Sequence, residues 1–410
     1  MNILHVHDTD YSRGGGGQLA MYRLHHGLRR LGIGSKILCR NKQLTSADSV
    51  SIPPSSLPRL EYRLRQITSR LGLNDIHCLS TFKIKELREY EEADILNVHC
   101  IHGGFFNYLA LPSLTRTKPA VFTLHDVWPF TGHCSLSYDC ERWKTGCGRC
   151  PYPDAYPRIQ RDSTHIEWKL KKWVYSRSNL SVVTLSSCRT QQARQSMLNR
   201  FPIHEIPNGI DIDAFQPLDT EHCRSILGIP KFKKVIMFAA QLLSIPNKGG
   251  DLLIKALQAL PRTLKNELLL LTFGKGNESI ADGTGVETVS LGYIESDRLK
   301  AIAYSAADLF VLPSRSESLP LVLQESMACG TPMVSFEVGG VPDIVRPGIT
   351  GYLAEPENVK DLREGIVQLL EDEALRNQMA EQCRAIAVKE YPLELQVQRY
   401  IELYRGLLQN

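Results

Sequence analysis

Glu317 and Glu325 lie eight positions apart in LFVLPSRSESLPLVLQESMACGTPMVSFEVGGVPDIVRPGITGYL, residues 309–353. Carboxylates flanking a helix start accept hydrogen bonds from sugar hydroxyls, and the unpaired N–H groups of that start suit a phosphate. A plainer alternative makes Glu325 a salt-bridge partner and Glu317 a solvated loop acid. On a helical wheel Glu325 falls among Leu321, Val322, Ala328 and Cys329, an apolar stripe where an ionised carboxylate is costly unless something satisfies it.

Other residue types in the chain fit the same chemistry. Lys248 stands beside Gly249 and Gly250 at a helix start, where an ammonium neutralises a leaving diphosphate. Gly14, Gly15, Gly16 and Gly17 follow the first strand and open a helix from Gln18 to about Leu31, so backbone amides can approach a diphosphate closely; a mobile surface loop is the alternative. His125 and Asp126 sit at the exit of an apolar run, where loop hydrogen bonding and substrate positioning are both open. Cys134, Cys140, Cys147 and Cys150 lie in a loop rich in Gly and Pro. In a reducing compartment four thiolates around zinc can fold such a loop, with His133 able to replace one ligand; disulfides or unligated thiols are the alternatives.

These residues need parallel strands to position them. Leu309 to Leu312 and the run after Pro332 are strands separated by a helix-length segment, a βαβ unit whose loops fall on one sheet edge. Ser318 is the expected N-cap, Pro320 falls in the first turn, and Gly330-Thr331-Pro332 stops the helix. Further strands are read at Ile3–His7, Ser35–Cys39, Asp94–Cys100, Val121–Leu124, Val182–Leu185, Val235–Ala240, Leu268–Phe273 and Val289–Leu291. From Val359 onward the pattern is helical.

The ordered string Glu317, Glu325, Ala328-Cys329-Gly330-Thr331-Pro332 and Gly339-Gly340-Val341-Pro342-Asp343 resembles the signature of retaining glycosyltransferases of the GT4 type. Ile206-Pro207-Asn208-Gly209-Ile210-Asp211 resembles the turn that precedes their second domain. The resemblance implies an α/β protein of GT-B architecture, two Rossmann-like doubly wound domains facing across a cleft. Residues 1–205 would form the acceptor-side domain and 206–390 the nucleotide-sugar domain, with 391–410 a helix crossing back. It implies that Glu317 holds the donor sugar, Glu325 the ribose, and Lys248 the diphosphate. Ser318 and Leu319 would line the donor site, Gly292-Tyr293-Ile294 would read the base, and His125 would orient the sugar.

Such enzymes generally need no catalytic metal, so Asp8-Thr9-Asp10 is given no metal role. The family's second phosphate cation is missing where Gln241 stands, and Arg13 is a candidate replacement. The cysteine loop and the Glu317-Ser318-Leu319-Pro320 variant resemble the bacterial polysaccharide-assembly branch. The partners implied are a UDP- or GDP-linked sugar and a glycan or lipid-linked acceptor. A sugar-nucleotide epimerase and a non-catalytic sugar-nucleotide-binding subunit are the competing readings.

The 410 residues are 43% apolar and 22% charged, a globular composition large enough for two or three domains. Residues 1–202 hold 28 Lys+Arg against 16 Asp+Glu, a net +12, and the remainder holds 20 against 28, a net −8. The basic half suits an anionic membrane surface or acceptor; no nucleic-acid module is recognisable. Between Pro53 and Leu73, Leu57, Leu60, Leu64, Ile67 and Leu71 recur at three and four beside Arg59, Arg63, Arg65 and Arg70. That pattern is either a bilayer-lying basic amphipathic helix or a core-facing helix with a solvated basic side. Residues 156–177 read as a second such helix, with Ile166, Leu170, Trp173 and Val174 inward and Lys169, Lys171, Lys172 and Arg177 outward. No run of about 18 apolar residues is present, and Met1 leads directly into a strand, so a cytoplasmic protein, peripheral at the inner membrane face, is expected.

Overall fold

The computed structural model describes residues 1–10, 15–276 and 283–409. Two compact units divide the chain: Met1–Pro207 with Gln396–Asn410, and Asn208–Leu395.

The first unit is built on strands β1 (Asn2–Thr9), β2 (Gly34–Asn41), β3 (Ser49–Ser51), β4 (Ile95–Val98), β5 (Ala120–Leu124), β6 (Leu180–Thr184) and β7 (Ile203–Glu205), ordered β3-β2-β1-β4-β5-β6-β7. Every pairing is parallel. β4, β5 and β6 are buried along their whole length, as strands covered by helices on both faces must be. That burial strands two polar side chains on the sheet, and the last helix, Leu393–Gln409, satisfies them. Asn97 Nδ2 donates to the Tyr404 hydroxyl (2.7 Å), and Thr123 Oγ1 lies 3.1 Å from the Tyr400 hydroxyl.

The second unit repeats the plan with β8 (Lys234–Leu242), β9 (Leu268–Lys275), β10 (Glu287–Ser290), β11 (Leu309–Leu312), β12 (Met333–Phe336) and β13 (Gly351–Ala354), ordered β10-β9-β8-β11-β12-β13, again all parallel. Both sheets reverse their order once, between β1 and β4 and between β8 and β11. Open α/β sheets bind ligands outside the carboxyl ends of strands at such a reversal.

Three expectations about local structure change. The helix after Glu317 spans Leu321–Ala328, two residues later than a Ser318 cap would start it. Pro320 is the cap residue, in extended conformation, and its carbonyl accepts from the Leu323 amide. A proline restrains the residue before it towards extended backbone, so the Ser318–Pro320 segment stays outside the helix. The second basic helix is shorter than 156–177, covering Thr164–Tyr175, and buries a different face: Trp168, Lys171, Val174 and Tyr175 point inward while Ile166 and Trp173 are exposed. Lys171 goes inside because its ammonium donates to the carbonyls of Trp128 (2.8 Å) and Thr131 (3.1 Å) and stands 3.4 Å from the Trp128 ring centroid.

The third change concerns the Pro53–Leu73 segment, which does not face the core. Its helix, Pro58–Arg70, buries only Thr68. Leu57, Leu60, Tyr62 (64%) and Ile67 (56%) are exposed, as are Arg59, Arg63, Arg65 and Arg70. A core-facing helix would hide those apolar residues.

Candidate active site

In the second unit, the loops after β8 and β11 carry the residues whose chemistry stood out. Lys248 Nζ lies 2.7 Å from Glu317 Oε1. The two loops are stitched around that pair. Asn247 Nδ2 donates to the Ser316 carbonyl (2.9 Å), and the Arg315 amide donates to the Asn247 carbonyl (2.9 Å). Arg315 grips both carboxylate oxygens of Asp251, at 2.9 and 2.8 Å, and reaches Glu357 at 3.0 Å. This bidentate clamp fixes the helix start at Gly250 relative to the β11 exit. Sequence reading missed Arg315; its place one residue past Ser314 in the β11 exit loop was the available signal.

Glu317 is nearly buried, and Gly339 explains its placement. Gly339 adopts φ 53°, and a Cβ there would sit 1.8 Å from the Glu317 carbonyl oxygen, so only glycine lets the β12 exit close over it. Beside it the buried Ser318 hydroxyl has no hydrogen-bond partner among the described residues. Glu325, at 3% exposure, is met by the Tyr304 hydroxyl, which donates to Oε2 at 3.1 Å, so the acid on the apolar stripe is satisfied. Gly292, Tyr293 and Ile294 follow β10; the Gly274 amide donates to the Gly292 carbonyl (2.7 Å), and Lys275 Nζ stands 5.3 Å from the Tyr293 ring centroid. Gln241 is exposed, at the irregularity in the β8–β9 register. Gly14 and Arg13 lie outside the described residues.

In the first unit, the exits of β1, β4 and β5 converge. Gly15 precedes the helix Gly16–Arg30, and a Cβ on Gly17 would fall 3.2 Å from the His125 ring and 3.3 Å from Cys100 Sγ. Gly17 therefore lets the helix start close onto His125. Asp8 accepts from Asn41 (3.0 Å), and Asp10 is buried, accepting from the amides of Gln43 (2.8 Å) and Leu44 (3.1 Å), so this D-x-D serves the fold.

His125 is one end of a chain of imidazoles that sequence reading did not find. Its Nε2 lies 2.9 Å from His99 Nδ1, and His99 Nε2 lies 3.1 Å from His5 Nδ1. Burial pushes the His125 pKa down to about 4 and holds His5 and His99 well below the ordinary range, so the chain is neutral near pH 7. His102 behaves oppositely. Burial alone would lower it, but Asp126, whose Oδ2 lies 2.6 Å from His102 Nε2, raises it.

The cysteine loop follows. None of the eleven cysteines is in a disulfide. Cys134, Cys140, Cys147 and Cys150 line one cavity of about 20 Å³ together with His133. Burial pushes Cys134 up to about 12 and Cys147 to about 11. Among the described residues, the set of three possible ligand atoms mutually within 4.8 Å is a different one, Cys100, His102 and Asp126. There the imidazole and the carboxylate already bond to each other.

Two α/β units of Rossmann strand order, each with polar residues gathered at its order reversal, define a two-domain GT-B chain. The model "Glycosyltransferase Family 4" matches residues 14–214, and "Glycosyl transferases group 1" matches residues 219–385. The chain belongs to the GT4-type glycosyltransferases. It is 34% identical over 172 residues to D-inositol 3-phosphate glycosyltransferase of Mycobacterium leprae, a match spanning 40% of this chain and 39% of that enzyme's length. Its fold is similar to sucrose-phosphate synthase from Thermosynechococcus elongatus, with TM-score 0.74, 18% identity and all of both chains covered. It is also similar to Anabaena HepE in complex with UDP-glucose, with TM-score 0.68 and 18% identity over 99% of this chain and all of that one.

Proposed function

We propose that this protein moves a sugar from a nucleotide diphosphate sugar to a hydroxyl acceptor with retention at the anomeric carbon. The observation that carries the reading is the Lys248–Glu317 pair at the β8/β11 reversal, beside a Ser318 hydroxyl unpartnered among the described residues. A donor diphosphate would take Lys248 from Glu317 and free that carboxylate for sugar hydroxyls. Lys248, the start of helix Leu321–Ala328 and the amides of Gly14 to Gly17 would stabilise the leaving group, since preorganised charge is usually the largest catalytic term. Ser318 and Leu319 would line the sugar pocket, Glu325 would hold the ribose, and Gly292-Tyr293-Ile294 would meet the base. Neutral His125 would hydrogen-bond the sugar. The acceptor oxygen bonds to the anomeric carbon as the phosphate oxygen leaves, and that phosphate oxygen takes the acceptor proton, so no side-chain base is required.

The UDP-glucose held by the Anabaena structure favours a UDP-linked donor here, with GDP the second choice. In this reading residues 1–205 serve the acceptor and 206–390 the donor, with 391–410 returning to the first domain. The acceptor is a glycan or lipid-linked glycan of polysaccharide assembly. No helix among the described residues is long and apolar enough to cross a membrane; the uncovered helix Pro58–Arg70, apolar and basic, would rest the protein on an anionic inner-face bilayer. Zinc in the cysteine loop would be structural, and the reaction itself needs no metal.

The test offers purified protein a mixed panel of UDP-, GDP- and dTDP-sugars with extracted lipid-linked glycans and follows products by mass spectrometry. Nucleoside diphosphate release matched by a glycosylated acceptor supports the proposal. Epimerised donor without release selects an epimerase, and tight donor binding with neither selects a binding subunit.

A further inference from the structure

The helix Thr164–Tyr175 holds two large apolar side chains in solvent, Ile166 (51% exposed) and Trp173 (49%), seven positions apart and so on one side of the helix. Exposed cations stand among them, Lys169 and Lys172 within the helix and Arg177 just past its end. The Arg177 guanidinium carbon lies 4.4 Å from the Trp173 ring centroid, and Arg177 Nη1 donates to the Trp173 carbonyl (3.4 Å), so the indole carries a cation of its own. Glu167 is the one acid in residues 163–179, and it is buried, accepting from the Tyr108 hydroxyl. The outward face of this helix is therefore apolar and positive.

The other uncovered helix, Pro58–Arg70, ends against its start. Ser163 Oγ donates to the Leu71 carbonyl, and at Gly72, φ 67°, a Cβ would sit 1.9 Å from the Arg161 carbonyl oxygen, so glycine lets the two segments close on each other. Topology places both helices on one side of the first sheet. In the order β3-β2-β1-β4-β5-β6-β7, the β3-to-β4 connection, which holds Pro58–Arg70, and the β5-to-β6 connection, which holds Thr164–Tyr175, run in the same direction across the sheet. Parallel crossovers keep one hand, so connections of the same direction cover the same face. Two apolar and basic helices thus meet at a fixed joint. Their cations are interleaved with the exposed apolar residues instead of ringing an apolar centre, which suits headgroups and acyl chains better than the buried core of a protein interface. A tryptophan flanked by Lys and Arg is the side-chain set of a membrane–water boundary.

We propose that the helix Thr164–Tyr175 is a second membrane contact, with Ile166 and Trp173 seated in the headgroup region of an anionic bilayer and Lys169, Lys172 and Arg177 on its phosphates. This extends the bilayer reading of the helix Pro58–Arg70 and rests on it. Contact through both helices holds the first unit in one orientation on the bilayer, where one helix alone leaves it free to roll. Trp173 also reports its own surroundings. The chain has four tryptophans, and Trp128, Trp143 and Trp168 are buried, so a quencher carried by lipid reaches Trp173 alone.

The experiment adds full-length protein to vesicles of phosphatidylcholine with and without phosphatidylglycerol, the acyl chains brominated near the headgroup, and reads pelleting and tryptophan emission together. The expected result is binding to the anionic vesicles with a blue shift and quenching of the emission. Trp173→Phe should still pellet and should lose that quenching. Replacing Lys169 and Lys172 by glutamine should weaken binding about fivefold for each charge removed. Pelleting without quenching, or quenching that survives in Trp173→Phe, would end the second contact and leave the helix Pro58–Arg70 on the bilayer. Equal binding to vesicles without phosphatidylglycerol would contradict the charge argument for both helices. Absence of binding to anionic vesicles would end both contacts and leave this face to an acidic protein partner.

Discussion

Lys248 and Glu317, 69 residues apart in sequence, are joined by a 2.7 Å ion pair at the order reversal of the second sheet. The pair holds an ammonium in place before any anion arrives, and it gives the anion a competitor to displace. In the proposed mechanism Lys248→Ala lowers kcat by about 100-fold or more, and Glu317→Gln by a comparable factor. Steady-state rates of the two single variants and the double variant give the coupling. Members of one network are non-additive, so the double variant should be little slower than the worse single one. Near wild-type turnover in either single variant removes that residue from the mechanism.

His125 should act as a neutral hydrogen-bonding group. With its pKa pushed down to about 4 by burial, it stays uncharged across the neutral range and gains charge only as pH falls past that value. The rate profile of the wild type should therefore show no inflection from His125 between about pH 5 and 8. His125→Ala should reduce turnover at every pH in that window; an unchanged rate contradicts the assignment.

Acid should weaken the first unit before the second. Burial lowers His7 and His25 to about 3 and His125 to about 4, and holds His5 and His99 further below the ordinary 6.5. These folded-state values are depressed, so the unfolded chain binds more protons, and the stability they contribute is present above about pH 6.5 and lost as pH falls towards 4. The second unit contains one histidine, His222. Calorimetry between pH 7 and pH 5 should move the first unit's transition down in temperature more than the second's. Equal shifts contradict this histidine account.

Replacing Arg59, Arg63, Arg65 and Arg70 by glutamine should abolish pelleting with vesicles rich in anionic lipid and leave binding to neutral vesicles unchanged. All four are exposed, so folding stability should change little, by about 0.5 kcal/mol or less per site. Undiminished pelleting would separate the helix Pro58–Arg70 from any membrane role.

Strand positions were readable because buried parallel strands are continuous apolar runs such as Leu309–Leu312 and Val121–Leu124. Edge elements gave weaker signals: β3 and β7 are three residues each and carry His204 and three serine or glutamate positions, so no apolar run marks them. The helix Thr164–Tyr175 misled for a physical reason. Ile166 and Trp173 also fall at helical spacing, and nothing in the sequence says that Lys171 will find two carbonyls and an indole face. Individual site residues stood out by type and by their place after strands. Their pairings did not, since Lys248–Glu317, Tyr304–Glu325 and His5–His99–His125 join residues distant along the chain.

A structure of the protein with a bound nucleotide sugar tests the central claim most directly. The account predicts the diphosphate on Lys248, the ribose on Glu325 and the sugar on Glu317, with the 2.7 Å Lys248–Glu317 contact opened. A donor bound elsewhere, with that contact intact and the Tyr304–Glu325 hydrogen bond kept, would contradict it.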